Sequence, residues 1–70
     1  MAILRIENLR DGSWMIRGEG SIPAGTTMDD IKSDTDRSAL NHATRALLDG
    51  VVVYETAKLT KARAKALFGF

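Results

Sequence analysis

Hydrophobic and polar residues alternate over residues 3–20, which is the pattern of a β-hairpin. Asp11-Gly12 lies between the two alternating runs and is a strong turn signal. A two-residue loop at Asp11-Gly12 would place Ile6 opposite Arg17. A three-residue loop over residues 10–12 would instead place Ile6 opposite Ile16, with Gly12 in the left-handed conformation such loops need. We predict the three-residue loop because it gathers the hairpin's large apolar side chains on one face.

That register predicts the environment of each face of the hairpin. The apolar face would hold Leu4, Ile6, Trp14 and Ile16 and would meet the helices, so Trp14 is expected in the core. A partner-binding or base-stacking role for Trp14 is the alternative. The opposite face would be solvated and would carry charges of both signs: Arg5, Glu7, Arg17 and Glu19.

Two helical segments are predicted in the middle of the chain. Thr27 and Asp30 have the spacing of a capping box and should begin a short helix with Met28 and Ile31 buried. Residues 33–36 are poor helix formers, so a break or a kink is expected there. Apolar residues recur at helical spacing over residues 37–49, and Gly50 follows in the place of a C-terminal cap.

The last third of the chain predicts a strand and a helix. Residues 51–54 include three consecutive valines and favour a buried strand. Thr56 or Ala57 then leads into a C-terminal helix. With no internal repeat evident in the sequence, the expected fold is a single α+β domain over residues 1–70. A three-stranded antiparallel sheet, made of the hairpin and the third strand, would be packed by a central helix and a basic C-terminal helix.

Charge is divided unevenly along the chain. The first 55 residues contain six cations and nine acids, whereas the remainder contains four cations and no acid. The net charge of +1 therefore hides an acidic body and a basic C-terminal helix. The four cations of that helix are Lys58, Lys61, Arg63 and Lys65.

The basic helix has three interpretations. Lys58, Lys61 and Lys65 would form one stripe, separate from a narrow apolar stripe of Leu59, Ala62, Ala66 and Phe70. The stripe could contact phosphate groups or an acidic protein surface. It could equally be solvated, since cations suit the C-terminal end of a helix dipole, or it could balance the acid-rich residues 29–36. Phe68 and Phe70 would either tuck under the sheet or form an exposed apolar end.

The amino-acid composition and the spacing of the polar residues argue against an enclosed catalytic or ligand-binding site. The chain has no cysteine and one histidine, which argues against a thiolate or histidine-rich metal centre. His42 is the one candidate general base and is expected on the polar face of the second helical segment. The glycines at 18, 20 and 25 miss the spacing of a phosphate-binding loop. The aspartates at 34 and 36 lack the later glycine and glutamate of a calcium loop. We expect no enzyme, cofactor, metal or small-molecule substrate.

The hypothesis that remains is a small cytoplasmic binding or regulatory protein, of a size common among bacterial and bacteriophage accessory proteins. No run of residues is apolar enough to predict a membrane span. Recognition of another protein is the first interpretation, and nucleic-acid binding is the alternative. A virion or assembly component is the third, and self-association stays open. The expected contact residues are the four cations of the basic helix with Arg5, Arg10, Arg17, Phe68 and Phe70.

Overall fold

The computed structural model describes residues 2–69, which form a four-stranded antiparallel sheet and two helices. The elements in chain order are β1 (Ile3–Arg10), β2 (Ser13–Ser21), α1 (Met28–Ser38), β3 (Thr44–Leu48), β4 (Val51–Thr56) and α2 (Lys61–Phe68). The strands are ordered β2-β1-β3-β4 across the sheet. The α+β class is confirmed, and the predicted three strands are corrected to four. No helix among the described residues is long and apolar enough to cross a membrane.

The first hairpin closes with a two-residue turn, so the predicted three-residue loop is wrong. Asp11 and Gly12 both have positive φ, 51° and 79°, as a type I′ turn requires. Glu7 consequently pairs with Ile16. The backbone twist of a type I′ turn matches the twist of the two strands, which favours the two-residue loop. This preference of the turn outweighs the gain from placing all the large apolar side chains on one face.

A β-bulge in β2 shifts the pairing of β1 with β2 by one residue, halfway along the hairpin. The pairing shifts between Glu7 and Ile6, so Ile6 lies opposite Gly18 and Arg17 is the extra residue. The Nη1 of Arg17 donates a 2.9 Å hydrogen bond to Ser38 at the end of α1. Beyond the bulge, Gly18 and Gly20 therefore share the helix side of the sheet with Ile6 and Leu4, and the Arg17 side chain is directed to the same side.

The capping box at the start of α1 is confirmed. The Thr27 side chain accepts a hydrogen bond from the Asp30 backbone, while the Asp30 carboxylate accepts one from the Thr27 backbone. The helix then continues through residues 33–36, so the predicted break there is wrong. Thr35 is fully buried and its hydroxyl donates to the Ile31 carbonyl, which accommodates a poor helix former inside the helix. Ile31 is buried as predicted, whereas Met28 is exposed.

The second helical segment predicted over residues 37–49 is wrong. Helix α1 ends at Ser38, and residues 44–48 form β3, which pairs with β1 on one side and β4 on the other. Asp49 and Gly50 have φ of 49° and 83°, so they form a second Asp-Gly turn where a helix cap was expected. His42 lies in the connection between α1 and β3, and not on a helix.

Helix α1 covers the half of the sheet formed by β3 and β4. The hydroxyl of Tyr54 donates a 2.8 Å hydrogen bond to the Asp36 carboxylate, which fixes the helix over β4. Beneath the helix the side chains are small or polar. Ala46 and Thr44 are fully buried, and Thr44 accepts a 2.8 Å hydrogen bond from buried Asn8. The core under α1 is therefore thin and held partly by hydrogen bonds.

Helix α2 packs against the end of α1. Thr60 caps it, and Ala64 and Leu59 form a buried cluster with Ala39, against which Phe68 packs. The predicted apolar stripe is therefore wrong, because Ala62 and Ala66 are exposed and Leu59 precedes the helix. Lys58 also precedes α2, so the predicted row of three lysines on one helix is reduced to Lys61 and Lys65. Phe70 lies outside the described residues.

The fold contains two copies of one topological unit, although no repeat is evident in the sequence. Each unit is two strands joined by an Asp-Gly turn and followed by a helix with a threonine N-cap. The strand order β2-β1-β3-β4 places the two hairpins side by side about a pseudo-two-fold axis between β1 and β3. Each outer strand also carries a bulge, at Arg17 in β2 and at Val53 in β4. The helices break the symmetry, since α1 covers β3 and β4 whereas α2 packs at the end of α1.

Candidate protein-binding surface

Among residues 2–69, no helix lies over the face of the sheet turned away from α1, and we call it the open face. Side chains along each strand alternate between the two faces of the sheet. Tyr54 and its partner Ala46 face α1, so the residues that alternate with them on each strand face away. The open face consists of Ile3, Arg5, Glu7, Leu9, Trp14, Ile16, Glu19, Arg45, Leu47, Val52 and Glu55.

Large apolar side chains on the open face are accessible to solvent. Ile16 is 59% exposed, Val52 42%, Ile3 39% and Leu9 36%. They come from three of the four strands, so the apolar area extends across the sheet. Arg5 and Glu7 on β1 and Arg45 on β3 lie between them, so the open face combines accessible apolar groups with charged ones.

A buried carboxylate sits at the centre of the open face. Glu7 is only 7% exposed, although no helix covers it. The Nε of Arg45 donates a 2.6 Å hydrogen bond to its Oε1, and the Nη1 of Arg5 lies 3.8 Å from its Oε2. Long side chains of neighbouring strands thus fold over Glu7 and shield it from water.

Trp14 belongs to the open face, so its predicted place against the helices is wrong. It pairs with Leu9 across the hairpin, and the two-residue turn directs both side chains away from α1. The Cζ of Arg45 lies 4.3 Å from the centroid of the Trp14 ring, which is a cation–π contact. Trp14 is half-buried by this contact and still presents part of its ring to solvent.

Arg5 is held less completely than Arg45. Its Nε lies 3.4 Å from the Glu19 carboxylate, which is within ion-pair distance. The direction of this contact does not make it a hydrogen bond, and the buried Nε has no other hydrogen-bond partner among residues 2–69. The open face therefore contains one guanidinium whose hydrogen-bonding capacity is not fully used.

The sheet edges are poorer candidates for pairing with a partner strand. The bulges at Arg17 and Val53 interrupt the regular row of backbone groups on β2 and β4. Gly18, Glu19 and Gly20 further weaken the β2 edge as a pairing template. The open face is therefore the larger continuous surface on which a partner could dock.

The three hairpin arginines lie at separate places on the fold. Arg5 lies on the open face, Arg17 bonds to the end of α1, and Arg10 is exposed beside the hairpin turn.

The cations of the basic helix are exposed, and none has a carboxylate within 4.0 Å in the part of the chain that the structure describes. They are Lys58, Lys61, Arg63 and Lys65. The acid-rich residues 29–36 do not pair with them directly. Arg63 nevertheless lies close enough to Tyr54 to act on it electrostatically. Phe68 is half-buried against α1.

One ionisable side chain is clearly perturbed. Burial raises the pKa of the Tyr54 phenol above its usual value, and the hydrogen bond to the Asp36 carboxylate raises it further. Lys32 lies over the Tyr54 ring, 5.8 Å from its centroid. These contacts attach α1 to β4. Within residues 2–69 no three histidine or carboxylate side chains are grouped as a metal site.

Sequence reasoning missed the joint role of Trp14, Glu7 and Arg45. Their grouping depends on the two-residue turn and on the existence of β3. The signal that could have revealed β3 is the second Asp-Gly pair, at residues 49 and 50, preceded and followed by apolar residues. Comparison of the chain with family models, curated proteins and solved structures finds no match.

Proposed function

We propose that the chain is a small non-enzymatic binding protein that docks another protein on its open face. The observation that supports this most is the combination of exposed Ile16 and Val52 with the Trp14–Arg45 contact on a sheet face that no helix covers. Tryptophan and arginine are the residues most enriched among energetically dominant interface positions. The surrounding apolar side chains would exclude water from such a contact.

The bacterial or bacteriophage setting and the cytoplasmic location belong to the same proposal. They rest on the size and composition of the chain alone. A partner that presents apolar side chains would suit the open face, because Ile16 and Val52 are accessible there. Such a partner would be held mainly by apolar contacts.

Two adjacent valines provide the test. Val52 faces the open side, whereas Val51 pairs with Leu48 and faces the helix side, and both are exposed, at 42% and 64%. The wild-type chain, Val52→Asp and Val51→Asp should be used to capture partners from cells that naturally produce the protein. A protein partner retained by Val51→Asp and lost with Val52→Asp, with or without nuclease treatment, supports the proposal. Equal retention by both variants contradicts it.

Nucleic-acid binding is the second candidate, and one observation favours it. The exposed cations of α2 and the preceding connector have no carboxylate partner within residues 2–69, so they are free to contact phosphates. Capture that disappears after nuclease treatment, together with steeply salt-dependent binding, would place this candidate first. The engagement of Arg5 and Arg17 elsewhere reduces the basic area that it can use.

A further inference from the structure

The topological repeat leaves one half of the helix side of the sheet without a helix. Helix α1 covers β3 and β4, and the equivalent position over β1 and β2 is a groove. Its floor is formed by Leu4, Ile6, Gly18 and Gly20, and Ile22 and Pro23 form one end. The groove has a volume of about 250 Å³, and an adjoining groove of about 400 Å³ runs along α1.

The shape of this groove suits a helix with small side chains. A Cβ placed on Gly18 or Gly20 would meet nothing within 4 Å, so the floor is open above both glycines. The pseudo-two-fold axis relates the groove over β1 and β2 to the position of α1 over β3 and β4. The fold therefore has an open site over β1 and β2 that is lined by apolar side chains and backbone.

The wall that α1 contributes has two carboxylates and one guanidinium, so its net charge is negative. Asp30, Asp34 and Arg37 line the adjoining groove, with Ser33 between them. The Asp30 carboxylate is already engaged by the Thr27 backbone in the capping box. The Asp34 side chain makes no hydrogen bond or ion pair within residues 2–69 and is exposed. A helix entering the groove would meet a free carboxylate beside an apolar floor.

Helix α2 has the complementary surface. Ala64 packs inward, so Ala62 and Ala66 lie on the outward side of the helix, and both are exposed. By the 100° spacing of residues, Lys65 and Arg63 lie on opposite sides of this alanine stripe. A small apolar stripe between two cations complements an apolar floor beside a wall of net negative charge.

The α2 that fills the groove cannot be the chain's own. Only residues 57–60 connect it to β4, and four residues span at most about 14 Å. The chain's own α2 is also already held against the end of α1, where Ala64 and Leu59 pack with Ala39. We propose that the groove over β1 and β2 binds α2 of a second copy of this chain. The exchange is reciprocal, so that two equal helix-in-groove contacts close a symmetric dimer.

Charge reversal and restoration test this proposal. Light scattering and sedimentation equilibrium over a concentration series should show a wild-type dimer that dissociates on dilution. Lys65→Glu and Asp34→Lys should each weaken the dimer by tenfold or more. The double variant, in which the two charges are exchanged, should recover most of the lost affinity. Lys61→Glu is the matched control, because Lys61 lies toward the packed side of α2, and it should dimerise nearly as the wild type does.

A second variant tests the groove without changing charge. Gly18→Phe would occupy the floor, and the backbone there tolerates a side chain because Gly18 does not have positive φ. It should be monomeric with an unchanged circular dichroism spectrum. A wild-type monomer at the highest attainable concentration would overturn the proposal, as would a dimer that survives both Gly18→Phe and Asp34→Lys. Val52→Asp on the open face should leave the dimer intact, so the two surfaces are tested separately.

Discussion

The guanidinium of Arg45 lies 4.3 Å from the centroid of the Trp14 ring, while its Nε donates a 2.6 Å hydrogen bond to Glu7. These three residues come from β2, β1 and β3, so one side chain connects three adjacent strands. Arginine suits this position because its planar group can stack on an aromatic ring and donate to a carboxylate at the same time. The contact stiffens the centre of the open face.

Replacing Arg45 should therefore destabilise the fold. Arg45→Ala leaves Glu7 without its closest partner and should lower the free energy of unfolding by about 2–3 kcal/mol. Arg45→Lys keeps the charge but loses the stacked plane, and should cost about 1 kcal/mol. Urea denaturation measures both values, and the near-ultraviolet circular dichroism of Trp14 should weaken in each. Equal stability of Arg45→Ala and the wild type would contradict this account of Glu7.

The two Asp-Gly turns should be sensitive to loss of glycine. Gly12 and Gly50 have φ of 79° and 83°, which a residue with a Cβ adopts only with strain. Gly12→Ala and Gly50→Ala should each cost about 1–2 kcal/mol in urea denaturation. Gly20→Ala is the control, since Gly20 does not have positive φ and its added Cβ would meet nothing within 4 Å. That control should change stability by less than about 0.5 kcal/mol.

Short-range signals predicted part of this fold correctly. The hairpin, the capping box at Thr27 and the strand beginning at Val51 follow from neighbouring residues, and all three are present. The expected burial of that strand is wrong, because β4 is an edge strand and Val51 and Val52 are exposed. Strand β3 was missed because Ala46, Leu47 and Leu48 are good helix formers, and pairing with β1 and β4 overrides that preference.

The open face was harder to predict than the elements that form it. The side on which Trp14 lies depends on a single residue of loop length, because a shift of one residue turns a side chain to the other face. The bulge at Arg17 then changes the register again within the same strand. The alternation of residues along β2 gives no clear sign of such a bulge. The Trp14–Arg45 contact could therefore be identified from the tertiary structure and not from the sequence.

Tyr54 should make stability depend on pH in the alkaline range. Its pKa is raised above 10.0, first by burial and then by the Asp36 carboxylate, so the folded state prefers the protonated phenol. This stabilisation is fully present below the unfolded pKa of about 10 and is lost as pH rises through the folded pKa. Tyr54→Phe should cost about 1 kcal/mol at neutral pH through the lost hydrogen bond.

The difference in stability between wild type and Tyr54→Phe isolates this effect, because the lysines titrate in both proteins. That difference should shrink as pH rises above about 10. Tyr54 is the single tyrosine of the chain, so phenolate absorbance reports its pKa directly. A normal or lowered pKa in that titration would rule out the proposed attachment of α1 to β4 by this hydrogen bond.

Reversing three lysines together separates the proposed roles of the basic helix. Lys58, Lys61 and Lys65 have no carboxylate within 4.0 Å among the described residues, so the triple change to Glu should remove no ion pair. Glu at position 61 suits the first turn of α2 and Glu at 65 opposes the helix dipole, so the net stability change should stay below about 1 kcal/mol. A larger loss in urea denaturation would show that these cations balance the acids of α1 at longer range.

Binding measurements on the same variant then identify what α2 contacts. If α2 serves self-association, the triple variant should be monomeric and should still capture the partner of the open face. If α2 contacts phosphates, the wild type should bind single- and double-stranded DNA with steep salt dependence, and the variant should lose binding to every sequence tested. Gly18→Phe completes the comparison, because it blocks the groove and leaves every cation of α2 in place. DNA binding that survives in Gly18→Phe and fails in the triple variant would assign the cations to nucleic acid, whereas dimer loss in both variants without DNA binding would assign them to the second copy.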